Sequence, residues 1–298
     1  MKKYTLIITM LFSLSGIAET GSAENIFVPS VYELLPGGTH FFEGNTKKGL
    51  AFLTSEVSLL TAGIALRRKV DDEMNVPLIL AGQIYAIDKG DYSLKRLSSY
   101  LSRRKFTNSE VYYDPAPLTG LMTAPFRPDV FLSPFVLSWM AAGIIDGIIG
   151  YPGKTATWHD IDRVRLYGST INRGKGTAWY ETSVASISWG AAVSEEILFR
   201  GVLLPSLDFR YGKRTGLVAS SLVFGFVHIF NPDIDRPAYF IGQATLAGFV
   251  LGYHVQHSGY RLDKAIAAHF WYNVFSMTTT WLANPKENPL GFSVQTVF

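Results

Sequence analysis

The chain has 298 residues, of which 48% are hydrophobic, 14% are aromatic and only 17% are charged. Soluble domains carry about 25% charged residues, and disordered chains are rich in charge and poor in aromatics, so this composition excludes a disordered chain. A net charge of +3 indicates no nucleic-acid partner. The lack of cysteine excludes a disulfide framework, a cysteine-ligated zinc site and a cysteine nucleophile. What remains is an unusually apolar soluble fold or a polytopic membrane protein.

Residues 1–23 have the pattern of a targeting segment. Lys2 and Lys3 form a positive start, 5–18 is apolar, and 21–23 supplies the small residues that a signal peptidase cleaves after. The alternative is an uncleaved first membrane anchor. Both interpretations place the N-terminus at a membrane.

Apolar runs recur along the rest of the chain and favour membrane helices. They lie at 49–66, 76–87, 130–151, 182–204, 216–230, 237–255 and 265–283. A spanning helix needs about 20 mainly apolar residues, and four or five of the runs meet that length. We therefore expect an all-α fold, a polytopic transmembrane helix bundle. The short run 76–87 favours a re-entrant, interfacial or buried segment, followed by a basic loop at 95–105.

Loop charges predict the orientation of the last helices. The loops 208–214 and 256–264 are basic, so the positive-inside rule places both on the cytoplasmic side. Because successive loops lie on opposite sides of the membrane, this orientation would put the basic stretch 154–175 outside. We interpret that stretch as an amphipathic helix on the membrane surface.

The run 182–204 contains the main charges inside an apolar segment. Two adjacent carboxylates, Glu195 and Glu196, precede Arg200. Ionisable residues within a spanning helix are costly and therefore indicate function. Residues four apart share a helix face, so Arg200 is expected to pair with Glu196 and to leave Glu195 unpaired. An unpaired carboxylate in an apolar site suits general-base chemistry. The alternative is an ordinary salt bridge at an interfacial helix end.

Two further apolar runs each carry a histidine. Phe224 and His228 lie four apart on one, and His269 and Asn273 lie four apart on another. Together with the carboxylates they would form a polar cavity that activates water. A metal-free mechanism would use a carboxylate as base and His and Asn for the oxyanion. Alternatively, Glu195, His228 and His269 could hold a zinc ion, although the His-Glu-x-x-His zincin pattern does not occur.

The three patterns together resemble the ordered motifs of the CPBP family, also called the Abi or CAAX-protease and bacteriocin-processing family. The motifs are Glu195-Glu196-x-x-x-Arg200, Phe224-x-x-x-His228 and His269-x-x-x-Asn273. The resemblance covers about 179–281, roughly the last third of the chain. The family comprises intramembrane glutamic endopeptidases, formerly classed as metalloproteases. It includes type II prenyl-protein endopeptidases and bacterial members tied to bacteriocin maturation or immunity.

The resemblance implies a role for each motif residue. Those roles are general base for Glu195, support of that base by Glu196 and Arg200, water binding for His228, oxyanion binding for His269 and Asn273, and shaping of the cavity for Phe224. No cofactor is required in this scheme, and zinc stays an open alternative.

The residue pattern and the resemblance together imply a division of the chain. We expect a signal peptide or anchor at 1–23, an N-terminal membrane-associated region at 24–128, and a CPBP-type protease core at 129–298. The Pro-Gly and Lys-Gly turns between 36 and 49 are interpreted as the approach to the first membrane helix. The remaining histidines are interpreted as loop or interfacial residues: His40, His159, His254 and His257.

The function that follows is an intramembrane endopeptidase. Its partners would be the lipid bilayer and a protein or peptide substrate, including lipid-modified or membrane-anchored ones, in a multi-pass protein of the bacterial inner membrane. One alternative is a non-enzymatic membrane scaffold or bacteriocin-immunity protein that keeps the family fold. Another is a transporter that uses the buried carboxylates and histidines as a proton relay.

Overall fold

The computed structural model describes residues 32, 34–67, 74–103, 115–149, 156–230 and 237–296. The predicted targeting segment at 1–23 lies outside the described residues.

Helices make up about four-fifths of the described chain. The first six are α1 Gly38–Phe42, α2 Thr46–Arg67, α3 Val76–Arg103, α4 Leu118–Thr123, α5 Pro128–Phe131 and α6 Pro134–Ile149. The next five are α7 Arg173–Glu195, α8 Leu204–Tyr211, α9 Lys213–Val227, α10 Pro237–His257 and α11 Asp263–Ala283. The described part of each predicted apolar run is largely helical. The helical class is therefore confirmed.

The prediction of several membrane-spanning helices receives less support than the prediction of a helical fold. Among the described residues, α2 is the one helix that is both long and apolar enough to cross a membrane. Helix α6 is apolar, but it has only 16 residues. Helices α7, α10 and α11 have the length of a span, but they do not reach the hydropathy of a spanning segment. The number of spans therefore stays a prediction.

Helix α3 differs from the prediction for its region. The expected short segment 76–87 and the described part of the basic loop, 95–103, belong to one helix of 28 residues. The helix continues because Leu94, Leu97 and Leu101 extend its buried face while the lysine and arginine side chains between them point outward.

The stretch 154–175 is not an amphipathic helix in its described part. It forms the hairpin β1 Ile161–Leu166 and β2 Ser169–Asn172, and β3 Ser293–Thr296 pairs with the other edge of β1. Both pairings are antiparallel, and the strand order is β2-β1-β3.

Local sequence explains why a hairpin forms here. Ile161, Val164 and Leu166 are buried, and β-branched residues favour a half-buried sheet. Tyr167 and Gly168 form the two-residue turn and both have positive φ, 47° and 76°. That geometry is the tight turn whose twist matches paired strands, and glycine adopts it without a steric penalty.

The helices that follow the hairpin run alternately between two ends of the bundle. At one end, Asp208 of α8 accepts hydrogen bonds from Gln256 at 2.8 Å and from Tyr260 at 2.7 Å. The two basic loops, 208–214 and 256–264, are therefore neighbours, as their predicted shared side requires. At the other end, α11 returns to the sheet.

Candidate active site

The helix that carries both candidate carboxylates changes its winding at that point. Helix α7 ends at Glu195, and residues Glu196–Leu203 form a π-helix, called the π segment below, that continues into α8. Such widened turns are rare and occur frequently at functional sites, because they redirect side chains within a continuous helix.

Glu196 is the fully buried member of the pair, with 0% of its side chain exposed. Its Oε1 atom lies 3.1 Å from Arg200 Nη1 and 2.9 Å from His269 Nδ1. The pairing of Glu196 with Arg200 that their spacing predicts is therefore present. A buried carboxylate held by two donors is fixed in place, and it in turn orients the His269 ring.

Glu195 has the opposite environment. Its side chain is 31% exposed, and its Oε2 atom lies 4.0 Å from His269 Nε2. That separation is beyond hydrogen-bond length. Within the part of the chain that the structure describes, Glu195 Oε2 has no hydrogen-bond partner. The two ring nitrogens of His269 thus face one fixed carboxylate and one unpaired carboxylate.

Phe224 lies at the centre of the remaining site residues. Its ring centroid is 3.9 Å from the Arg200 guanidinium carbon, 4.7 Å from the His228 ring and 6.3 Å from the His269 ring. A guanidinium over an aromatic face is attracted by the ring quadrupole. Phe224 therefore packs the arginine against Glu196 and separates the two histidines.

His228 and Asn273 are less closely joined to the carboxylates. His228 Nδ1 lies 2.8 Å from the carbonyl oxygen of Phe224, just after the end of α9. Asn273 is half-buried one turn after His269 on α11, and no described side chain forms a hydrogen bond with it. The structure thus brings together Glu195, Glu196, Arg200 and His269 directly, and His228 through Phe224.

A family model matches the part of the chain that contains these residues. Residues 178–275 match the family model described as type II CAAX prenyl endopeptidase Rce1-like. These residues form a domain of that family. No curated protein and no solved structure matches the chain. The Rce1-like domain contains every predicted site residue, and the family is a membrane-embedded peptidase family.

The described residues of the Rce1-like domain do not present a metal site. No three or more histidine, aspartate or glutamate side chains in the described chain lie close enough together to hold a metal ion. Glu195, His228 and His269 are the set considered for zinc, and the bond of His269 Nδ1 to Glu196 leaves Nε2 as the ring nitrogen that could act as a ligand. Zinc stays an alternative, and no reaction step below uses a metal.

A second polar cluster lies further along α11 and has no assigned role in the sequence motifs. Asp146 of α6 accepts hydrogen bonds from Gln243 at 2.9 Å and from Ser276 at 2.8 Å, and Gln243 also bonds to Tyr272. Ser276 comes seven residues after His269, which places both on one face of α11. The sequence feature that indicates this cluster is Asp146, the one acid in the apolar run 130–151.

The apolar surface near the Rce1-like domain includes a cavity of about 440 Å³. It is lined by Leu59, Leu80, Ile84, Phe126, Ala185, Ser186 and Trp189. No predicted site residue lines it, so this cavity and the carboxylate site are separate features.

Proposed function

We propose that the protein is an intramembrane endopeptidase of the CPBP type that hydrolyses a peptide bond with a water molecule activated by Glu195. The unequal partnering of the two carboxylates is the observation that carries this proposal. Glu196 is committed to Arg200 and His269, whereas Glu195 is partly exposed and unpaired beside the same histidine. A general base must have a free lone pair within reach of water.

In the proposed reaction, Glu195 takes a proton from water as the water oxygen bonds to the carbonyl carbon. The carbonyl oxygen becomes an oxyanion, which the Asn273 amide and the Nε2–H of His269, with both ring nitrogens protonated, stabilise. Glu195 then passes the proton to the amide nitrogen as the carbon–nitrogen bond breaks. His228 holds the water, and the Glu196–Arg200 pair holds His269 in position.

The substrate in this proposal is a protein or peptide that reaches the site from the bilayer, including membrane-anchored or lipid-modified substrates. The apolar helices and the candidate span α2 support a membrane location. We place the protein in the bacterial inner membrane as a multi-pass protein, in line with the apolar runs and the N-terminal targeting pattern.

Substitution of the base tests the proposal. Glu195→Gln keeps the shape of the side chain and removes its basic form, so cleavage should fall by about 10²–10⁴-fold while the protein still inserts and accumulates. Purified protein in liposomes, incubated with extracted membrane proteins and analysed for new N-termini by mass spectrometry, measures the loss. Full cleavage by this variant would remove Glu195 from the mechanism.

Glu181→Gln is the matched control for that experiment. Glu181 is a half-buried carboxylate on the same helix, α7, and its Oε2 accepts a hydrogen bond from Thr278. Thr278 comes nine residues after His269, so it lies on the opposite side of α11. The control should cleave as the wild type does.

A chelator series on the purified wild-type protein addresses the zinc alternative. Because the proposed steps use only side chains and water, activity should persist in the presence of a strong chelator. Loss of activity that is restored by added zinc would overturn the metal-free version.

A further inference from the structure

Helix α3 lies outside the Rce1-like domain and packs directly on the helix that carries the candidate carboxylates. At three levels, a glycine on one helix faces a side chain of the other. Gln83 faces Gly190, Leu94 faces Gly201, and between them the α3 residue Gly90 faces Ile197. The three contacts follow one another in the same order on both helices, so the helices run parallel and in register.

The middle contact is next to the site. Ile197 directly follows Glu196, and a Cβ atom placed on Gly90 would overlap with the Cγ2 atom of Ile197. Close approach of two helix backbones requires small residues at the interface. Gly90 is therefore the residue that permits α3 to reach the π segment at the level of the carboxylates.

The opposite side of α3 is anchored to the N-terminal helices. Asp88 accepts hydrogen bonds from the Gly37 backbone N–H at 2.9 Å and from Lys89 at 2.7 Å. Asp91 lies 2.6 Å from Lys48 of α2. Both aspartates are buried and flank Gly90. The position of α3 is thus set from outside the Rce1-like domain.

We propose that Gly90, together with Leu94, positions the π segment so that Glu196 reaches His269 and Glu195 remains free beside it. Gly90 acts through Ile197 and does not touch the reacting atoms. This inference rests on the proposed peptidase function. It assigns a role to the region 24–128, to which the sequence motifs assign none.

A small displacement of the π segment is enough to disturb the site. Glu196 Oε1 is 2.9 Å from His269 Nδ1, and Ile197 is the next residue along the chain. A methyl group at Gly90 must displace Ile197 or α3, because the interface has no room for it. Displacement of a catalytic group by about 1 Å can reduce the rate by about 10²-fold.

The test compares Gly90→Ala with Gly82→Ala, measured on a substrate identified with the wild-type protein. Gly82 lies on the same helix, and a Cβ atom there would meet nothing within 4 Å. Gly90→Ala should lower kcat by about 10- to 100-fold with KM little changed. Gly82→Ala should keep both parameters. Equal kcat in the two variants would overturn the inference.

A second-site variant separates positioning from general damage. Ile197→Ala makes room for the added methyl group, so Gly90→Ala with Ile197→Ala should recover kcat relative to Gly90→Ala alone. Failure of the double variant to recover, although it folds, would contradict a role through Ile197. If Gly90→Ala does not accumulate, Leu94→Ala carries the test, and an unchanged kcat in that variant would overturn the inference.

The outcomes distinguish this inference from the proposed function itself. A wild-type protein without any peptidase activity would reject the proposed function. If the wild type is active and Gly90→Ala has the same kcat, the positioning role is rejected and the peptidase assignment stays intact.

Discussion

Two buried clusters of charge occupy different parts of the molecule and share one feature, a histidine beside a fully buried carboxylate. In the N-terminal cluster, His40 Nε2 lies 3.1 Å from Asp88 Oδ1. In the site cluster, His269 Nδ1 lies 2.9 Å from Glu196 Oε1. Both carboxylates have 0% side-chain exposure. The clusters differ in how many of their acids have a cationic partner.

The N-terminal cluster pairs each of its aspartates with lysine. Asp88 pairs with Lys89 at 2.7 Å, and Asp91 pairs with Lys48 at 2.6 Å and with Lys95 at 3.0 Å. His40 is also fully buried, which corrects its interpretation as a loop or interfacial residue. Such a cluster joins α1, α2 and α3. A further acid of α2, Glu56, is also buried, and its Oε1 atom has no hydrogen-bond partner in the described structure.

The site cluster has two carboxylates and one arginine. Arg200 pairs with Glu196 at 3.1 Å, and Glu195 has no hydrogen bond in the described structure. The comparison teaches that burial of charge does not by itself indicate catalysis. The distinguishing feature is an acid without a hydrogen bond that is also partly exposed and lies beside a histidine, as Glu195 does.

The largest effect should come from removing the arginine of the site cluster. Arg200→Gln leaves Glu196 buried without its ion-pair partner, which costs about 3–5 kcal/mol of unfolding free energy. Cleavage should fall as well, because Glu196 no longer holds His269 firmly. Denaturant unfolding and the liposome cleavage assay measure the two effects. Exposed Arg214→Gln is the control and should change stability by less than about 0.5 kcal/mol. Normal stability of Arg200→Gln would contradict the description of a tightly held pair.

A smaller effect should follow from weakening the N-terminal cluster. Asp88→Asn removes the charge that accepts from Gly37 and Lys89, which costs about 1–3 kcal/mol. Cleavage per folded molecule should change little, because Asp91 keeps its pairs with Lys48 and Lys95 and so still holds α3 and Gly90 in place. Comparison of unfolding midpoints with activity normalised to folded protein checks this. A large loss of activity without a loss of stability would place chemistry in this cluster.

The smallest effect concerns Asp208 at the end of α8, outside the apolar runs. Burial raises the pKa of Asp208, although Tyr260 and Gln256 donate hydrogen bonds to it and lower it in part. A carboxyl with a raised folded-state pKa favours folding most at low pH, and that contribution is lost as pH rises through the folded pKa. Asp208→Asn mimics the neutral form, so its stability should vary less between about pH 4 and pH 7. Unfolding midpoints across that range measure the difference, and parallel profiles of variant and wild type would contradict it.

The sequence predicted what short-range spacing determines. The pairing of Glu196 with Arg200 follows from a four-residue interval, and the helices follow from runs of apolar residues. The hairpin 161–172 was missed because its burial alternates over few residues and its turn is Tyr-Gly, which lacks the usual Asn-Gly or Asp-Gly signal. The contact of Gly90 with Ile197 joins residues far apart in the chain, and local periodicity contains no information about such partners.

The small sheet has a mechanical consequence for the site. Helix α7, which ends at Glu195, begins directly after β2, and α11, which carries His269, leads towards β3. Since β2 and β3 both pair with β1, the far ends of the two helices are tied to one shared support. At the opposite end of the bundle, the hydrogen bonds that Asp208 accepts from Gln256 and Tyr260 form a second tie. Glu195 and His269 therefore lie between two fixed ends, so a motion that widens the gap between them has to strain one of these ties.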